Sequence, residues 1–190
     1  MPERPYHHGN LRATLLSAAE TTLREQGLDQ VSLRALAREA GVSHGAPRRH
    51  FPDRQALLGA LVADGYERLA DELTTAIEQA GDDFAAAFQA AGSAFVRFAT
   101  EDSALLDLMF TSRQRDPGSA KAEPEQPYVI IGELIQRGQV SGRLAPGDPE
   151  RLRLLVVATF QGIAGLVTAH AVPDGQVQDL VADATALFIR

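Results

Sequence analysis

The run Leu33-Arg-Ala-Leu-Ala-Arg-Glu-Ala-Gly-Val-Ser-His-Gly-Ala-Pro-Arg-Arg-His-Phe51 decides the reading of the chain. It predicts a short amphipathic helix, a sharp turn at Gly41, and a second short helix from His44 to His50 that carries Arg and His. Ser32 can cap the first helix, with Leu33, Leu36, Ala37 and Ala40 on one face at helical spacing. Ala37 is small enough for two helices to cross beside it. Gly41 supplies the positive φ that a tight interhelical turn demands. Val42 plugs the corner, and Ser43 can cap the second helix. From His44 to His50 the polar side chains have nothing obvious to pack against and much to offer a phosphate or a base edge. This combination is the signature of a helix-turn-helix, whose second helix enters the DNA major groove. A helical hairpin inside a core is the competing reading, but two adjacent arginines on the outer helix argue against it.

The flanking sequence extends the pattern. Tyr-His-His-Gly-Asn-Leu-Arg at positions 6–12 leads into an amphipathic helix with Leu11, Leu15, Leu16, Ala19 and Leu23 on one side. Gly27 ends it, and Leu28 can fold back on Leu23. Val-Ser-Leu-Arg follows at 31–34, Ala-Gly-Val-Ser at 40–43, His-Phe at 50–51 and Asp-Arg-Gln-Ala-Leu-Leu at 53–58. In this order and spacing they resemble the DNA-binding domain of TetR-type (tetracycline-repressor-like) transcriptional regulators. The resemblance covers about the first third of the chain closely and the remainder in its helical layout. Arg48 stands where the family usually carries a Tyr, whose hydroxyl commonly contacts a phosphate. Arg48 can do the same with a full charge, or reach a guanine edge. Pro47 is unusual in a helix but tolerable in its first turn. One TetR subgroup has a Trp and a His-Gly pair in the penultimate helix; here Gln161-Gly162 takes that place and the chain has no Trp.

Composition narrows the remaining classes. With 45% apolar residues in 190, the chain can bury a full core as one or two compact units. It has no cysteine, which excludes disulfides and thiolate chemistry and fits a cytoplasmic location in a bacterium. The N-terminal Met-Pro-Glu-Arg-Pro lacks the apolar run of a signal peptide. The most apolar stretch, Leu152 to Val172, is broken by Arg153, Gln161 and His170, so it reads as a buried helix rather than a membrane span. The net charge of −7 is unevenly spread: residues 1–54 hold eight Arg against six Asp or Glu. Residues 55–190 hold ten Lys or Arg against nineteen acids. An N-terminal balance of +2 against −9 elsewhere turns the first segment toward DNA and the acidic bulk away from it. Four of the five His also lie in the first segment.

From Asp53 onward the periodicity is helical, with no convincing strand, so the fold class is all-α. The expected domains are 1–54, a three-helix helix-turn-helix domain, and 55–190, a helical effector-binding and dimerisation domain. Asp53 can cap a long helix bearing Leu57, Leu58, Leu61, Val62, Leu69, Leu73 and Ile77, which Gly81 ends. Helices with Phe84 to Phe98, from about Asp102 to Phe110, and from Tyr128 to Val140 follow. Arg113 to Gln126 reads as a mobile loop. Asp148 can cap a helix with Pro149 at its first position, running to Val172, and a last helix runs from Pro173 to Ile189. The helix from Pro149 is apolar nearly all round, while the last carries one stripe of Val177, Leu180, Val181, Ala184, Leu187 and Phe188. A helix apolar on every face must be covered on every face, which predicts a homodimer through these two helices. Its alternative is a central helix buried within one monomer.

A dimer places two recognition helices about 34–36 Å or somewhat more apart and so expects a palindromic operator. The expected DNA contacts are Arg34, Ser43, His44, Arg48, Arg49, His50 and Arg54. His44 and Arg49 are assigned to base edges, and Arg34, Ser43, His50 and Arg54 to phosphates. The resemblance implies a small-molecule effector in a cavity among the central helices, shifting the linking helix to release DNA. Phe88, Phe95, Phe98, Met109, Phe110, Tyr128, Phe160 and Gln161 are its candidate lining, although each also reads as core. Their aromatic character implies an apolar or aromatic effector. His7 and His8 read as an N-terminal arm near DNA rather than metal ligands, and His170 as a core residue. No nucleophile, carboxylate pair or ligand set for catalysis is legible, so neither enzyme activity, metal nor cofactor is expected. The alternative function is a helix-turn-helix DNA binder without an effector, which requires a filled core.

Overall fold

Four helices of this chain begin where a side-chain oxygen catches a free backbone N–H. The computed structural model describes residues 11–115 and 126–190. Among them run α1 (Leu11–Gln26), α2 (Leu33–Glu39), α3 (Arg54–Gln79), α4 (Phe84–Glu101), α5 (Ser103–Arg115), α6 (Gln126–Val140), α7 (Pro149–Thr168) and α8 (Val177–Phe188). Ser32 Oγ accepts from Ala35 N at 3.2 Å to start α2, and Asp53 Oδ1 accepts from Ala56 N at 2.8 Å to start α3. Asp83 and Asp148 do the same for α4 and α7, the latter with Pro149 at its first position. Each such cap is worth about 1 kcal/mol. Gly27, Gly41, Gly81 and Gly142 close helices or turns with positive φ, the left-handed conformation that side chains resist. The protein is all-α, and an isolated bridge between Leu144 and Ile189 is a local tie.

The chain forms two compact units. One comprises described residues 11–65 and 104–115, the other 66–103 and 126–190. Their division falls inside α3, after Gly65, rather than ahead of that helix. The first unit buries Leu15, Ala19 and Leu23 of α1, Val31, Leu36 and Ala37 around α2, and Leu57, Leu58 and Leu61 of α3. Each large side chain removed from water in this way contributes about 1.5–3 kcal/mol. Met109 and Leu105 of α5 lie where Gly65 has no side chain, since a Cβ there would sit 2.9 Å from Met109 Sδ.

The second unit is built on α4, whose Phe88, Phe95, Val96 and Phe98 are all buried. Helices α7 and α8 pack on α4, and α6 packs on α7. The later residues of α3 add Tyr66, Leu69, Ala70 and Leu73. Arg68 reaches from α3 over the Phe98 ring, 5.8 Å from its centroid, and towards Asp102 at 3.5 Å. Phe188 meets Phe88 with ring centroids 6.1 Å apart, and Arg190 N donates to Arg143 O at 2.9 Å.

Two readings of α7 change. The helix is buried on one face only: Val156, Phe160, Ile163 and Ala164 are buried, while Leu154 is 61% exposed, Leu155 54% and Leu166 48%. It is long and apolar enough to cross a membrane by length and composition alone, with 22% of that stretch buried. The helix also stops at Thr168, before the expected Val172, and α8 starts at Val177 rather than Pro173. His170 is therefore not a core residue; it is exposed at φ 55 in the turn after α7. The expected loop from Arg113 is helical as far as Arg115, and its residues 116–125 lie outside those described.

Two glycines of α6 offer a paired test of packing. A Cβ on Gly138 would overlap the Phe84 ring and lie 2.7 Å from Leu144 Cδ1, whereas one on Gly132 would meet nothing within 4 Å. Gly138→Ala is expected to destabilise the fold by about 1–3 kcal/mol through overpacking. Gly132→Ala is expected to stabilise it by about 0.5–1 kcal/mol through helix propensity. Urea midpoints at constant m-value measure both.

Candidate nucleic-acid interface

The turn after α2 takes the shape that its glycine dictates. Gly41 has φ 68, its N–H donates to Arg38 O at 3.2 Å, and Val42 N donates to Ala37 O at 2.9 Å. The second helix expected from His44 to His50 is not an α-helix. Ala46 N donates to Ser43 O, Arg49 N to Ala46 O and His50 N to Pro47 O, all i to i+3 bonds, with a 3-10 turn over Pro47–Arg49. The cause is local: Gly45 disfavours helix by about 1 kcal/mol against Ala, and Pro47 brings no N–H to the ladder. Pro47 and Phe51 are nonetheless buried, anchoring the segment, and Phe51 N bonds back to Pro47 O at 2.9 Å. The guanidinium of Arg12 lies 5.4 Å from the Phe51 ring centroid.

Ser43, His44, Arg48, Arg49 and His50 are exposed. An open cleft of about 580 Å³ is lined by Leu33, Arg34, His44, Gly45, Arg48, Pro52, Asp53 and Arg54. Of the seven expected contacts, it brings together Arg34, His44, Arg48 and Arg54; Ser43, Arg49 and His50 lie outside its lining. Arg34, Arg48 and Arg49 make no ion pair with a described residue. Asp53 is the one acid in the lining, and its carboxylate is engaged as the cap of α3. Arg54 differs from the other arginines. Its Nε donates to Val31 O at 2.8 Å and its Nη2 to Leu28 O at 2.6 Å. Nothing in the sequence announced those acceptors, because main-chain carbonyls leave no composition signal. The presence of Gly45 and Pro52 in the cleft lining was also missed. His7 and His8 lie outside the described residues.

The second unit holds a small, partly open apolar pocket of about 20 Å³. Leu73, Phe88, Ala91, Gly92, Phe95, Ile131, Leu134, Val156, Val157 and Phe160 line it. Of the eight expected lining residues, Phe88, Phe95 and Phe160 are there; the other five are not. Phe98 is buried beneath Arg68, and Met109 packs at Gly65 in the first unit. Phe110 belongs to α5 of that same unit. Tyr128 meets Tyr66 at 6.4 Å with the rings tilted by 51° and Arg153 above its ring, and the buried Gln161 Oε1 has no hydrogen-bond partner among the described residues. The volume is that of a single water, whose polar partners this lining does not supply. The Phe160 ring fills the space left by Gly92, where a Cβ would lie 2.5 Å from its Cζ. Among the described residues no three His, Cys, Asp or Glu side chains cluster as metal ligands.

Comparison with known proteins agrees with this architecture. The model of the family described as bacterial regulatory proteins, tetR family, matches residues 15–61. An HTH-type transcriptional regulator of Mycobacterium tuberculosis, Rv2250c, is 25% identical over 175 residues, covering 91% of this chain and 86% of its own. A protein of unknown function from Rhodococcus sp. RHA1 is 40% identical in sequence. Its structure superposes with a TM-score of 0.82 over 98% of this chain and 97% of that one. A TetR family transcription regulator from Marinobacter aquaeolei VT8 shares the fold at 16% identity. Its TM-score is 0.74, with 95% and 96% of the two chains covered.

Gly45 has open space for a Cβ and lacks a positive φ. Gly45→Ala is therefore expected to raise stability by about 0.4–1 kcal/mol, by restricting the unfolded chain. A higher unfolding midpoint with unchanged far-ultraviolet dichroism outside this segment checks it.

Proposed function

Because the chain belongs to the TetR family of bacterial regulatory proteins, a family of DNA-binding transcriptional regulators rather than enzymes, we propose that it is a cytoplasmic repressor that binds a palindromic operator as a homodimer. One observation carries the reading: the cleft lined by Arg34, His44 and Arg48, whose two guanidinium groups make no ion pair with a described residue, beside exposed Ser43, Arg49 and His50. Guanidinium groups in such a cleft suit phosphate oxygens, and Arg49 suits a guanine edge. The 3-10 turn presents these side chains over a shorter span than a full recognition helix would. Fewer base contacts per half-site are the consequence, with a larger share of affinity from phosphates.

Dimerisation through α7 and α8 is supported by what those helices leave uncovered. Leu154, Leu155 and Leu166 lie exposed on α7 and Leu187, 84% exposed, on α8. Between the α7 leucines, Gly162 and Gly165 have no atom near a would-be Cβ, so a partner helix can approach closely. A two-fold axis lets the same patch cover itself. It also supplies the two half-site contacts that a palindrome requires.

The effector reading is an apolar or aromatic small molecule that enters between α4, α6 and α7 and displaces the Phe160 ring. Binding there would act on α3, which contributes Leu73 to the lining, and withdraw the two DNA-binding units from operator spacing. A cavity of about 20 Å³ favours a second reading in the closed state, DNA binding without an effector. Melting the protein against a panel of aromatic and aliphatic compounds separates them. A compound that raises the melting temperature and releases DNA supports the first, and a panel without effect supports the second.

Two variants test the rest. Arg49→Ala is expected to weaken operator binding by about 1–3 kcal/mol, read by fluorescence anisotropy, with the fold intact by circular dichroism. Unchanged binding would remove Arg49 from the interface. Leu166→Glu is expected to turn a sedimenting dimer into a monomer that loses operator affinity.

A further inference from the structure

We infer that Arg54 is a positioning residue rather than a phosphate ligand: its guanidinium fork holds the turn that launches α2 against the start of α3. The inference rests on the DNA-binding reading above. The two acceptors are the carbonyls of Leu28 and Val31, 26 and 23 residues earlier in the chain, at 2.6 and 2.8 Å. Both bonds are charge-assisted, and a planar fork that meets two fixed carbonyls also fixes direction. Leu28 O already accepts from Val31 N at 3.2 Å, so the guanidinium closes a turn that is bonded from within. Val31 is fully buried, and the next residue, Ser32, caps α2. Whatever holds Val31 O therefore sets where α2 begins and where Arg34, one turn further on, is aimed.

Arg54 is also the first residue of α3, directly after the capping Asp53. On the other side of that cap, Phe51 is packed under the Arg12 guanidinium. The entry of α3 is thus gripped by α1 through Arg12 and by the Leu28–Val31 turn through Arg54. Position alone made Arg54 look like a phosphate contact, since it lines the same cleft as Arg34, His44 and Arg48. Its bonds distinguish it, because among the described residues Arg34 and Arg48 have no such internal acceptors.

Arg54→Lys separates the two roles, since a lysine keeps the charge in the cleft and cannot fork onto two carbonyls. The measurement is affinity for a duplex selected from a random pool with the wild-type protein and for an unselected duplex, across a salt series. If Arg54 positions, Arg54→Lys lowers the selected-to-unselected affinity ratio at least about tenfold, the scale of one misplaced base contact. Unselected binding and the slope of log affinity against log salt then stay as in wild type. If Arg54 holds a phosphate, Arg54→Lys leaves the ratio unchanged, and Arg54→Ala lowers the slope by about 0.9; that result overturns the inference. A purely structural loss would weaken both duplexes equally and shift the unfolding midpoint in proportion, which also overturns it. Amide exchange is read without DNA, so it stands even if no operator is found. In Arg54→Lys the Val31 N–H and the first amides of α2 should exchange at least about tenfold faster than in wild type, the population factor for about 1.4 kcal/mol. Wild-type exchange there would overturn the clamp.

Discussion

One helix serves two cores, and the rest of the molecule is arranged around that constraint. The 26 residues of α3 bury Leu57, Leu58 and Leu61 in the first unit and Leu69, Ala70 and Leu73 in the second. A helix can do this only if its apolar ridge continues without interruption, and Gly65 falls at the point where one core gives way to the other. The missing Cβ there admits Met109 and Leu105. Bulk at position 65 would push α5 off α3, so a small residue is a packing requirement. At the entry of the same helix, the cap by Asp53 and the fork of Arg54 tie its first turn into the first unit.

Charge completes the picture where packing leaves off. The described arginines of the first segment, from Arg12 to Arg54, are exposed rather than part of the core, while the acidic excess lies after position 54. Surface ion pairs such as Arg97 with Glu72, more than half exposed on the arginine side, add little to stability. The asymmetry lies in the distribution rather than in pairs: Arg34 and Arg48 of the cleft make no ion pair with a described residue, and the acidic excess lies later in the chain.

Much of this was legible because it is local. Ser32, Asp53 and Asp148 act as caps, Gly41 and Gly81 as left-handed stops, and the periodicities of α1, α3 and α4 mark their buried faces, all within a few residues of chain. The 3-10 turn over Pro47–Arg49 shows the limit of pattern matching. A family-like register suggested a helix there, while the local penalties of Gly45 and Pro47 decided against one. The lining of the pocket was legible only in part, since Phe88 and Phe98 read alike in sequence, yet Phe88 lines the pocket while Phe98 lies beneath the Arg68 guanidinium. His170 was read from its apolar neighbours, but α7 ends just before it and leaves it in a left-handed turn in solvent. Arg54 looked like its neighbours because hydrogen bonds to main-chain carbonyls leave no trace in composition.

The contact between Phe160 and Gly92 bears on both readings of the second unit. With Phe160 seated on a helix that lacks a side chain at that point, the pocket among α4, α6 and α7 is narrowed to about the size of a water. Swinging that ring out would forfeit about 2–3 kcal/mol of burial, so an open form would be populated at the order of a few per cent or less. An effector would have to recover that cost from its own contacts before it could bias α3 at all. Such a gate favours ligands with large apolar area over small polar ones, because only buried apolar surface can replace what the ring gives up. The same contact, left unopened, makes an adequate core for a regulator that needs no ligand. What separates the two is therefore the cost of moving one aromatic ring away from one glycine.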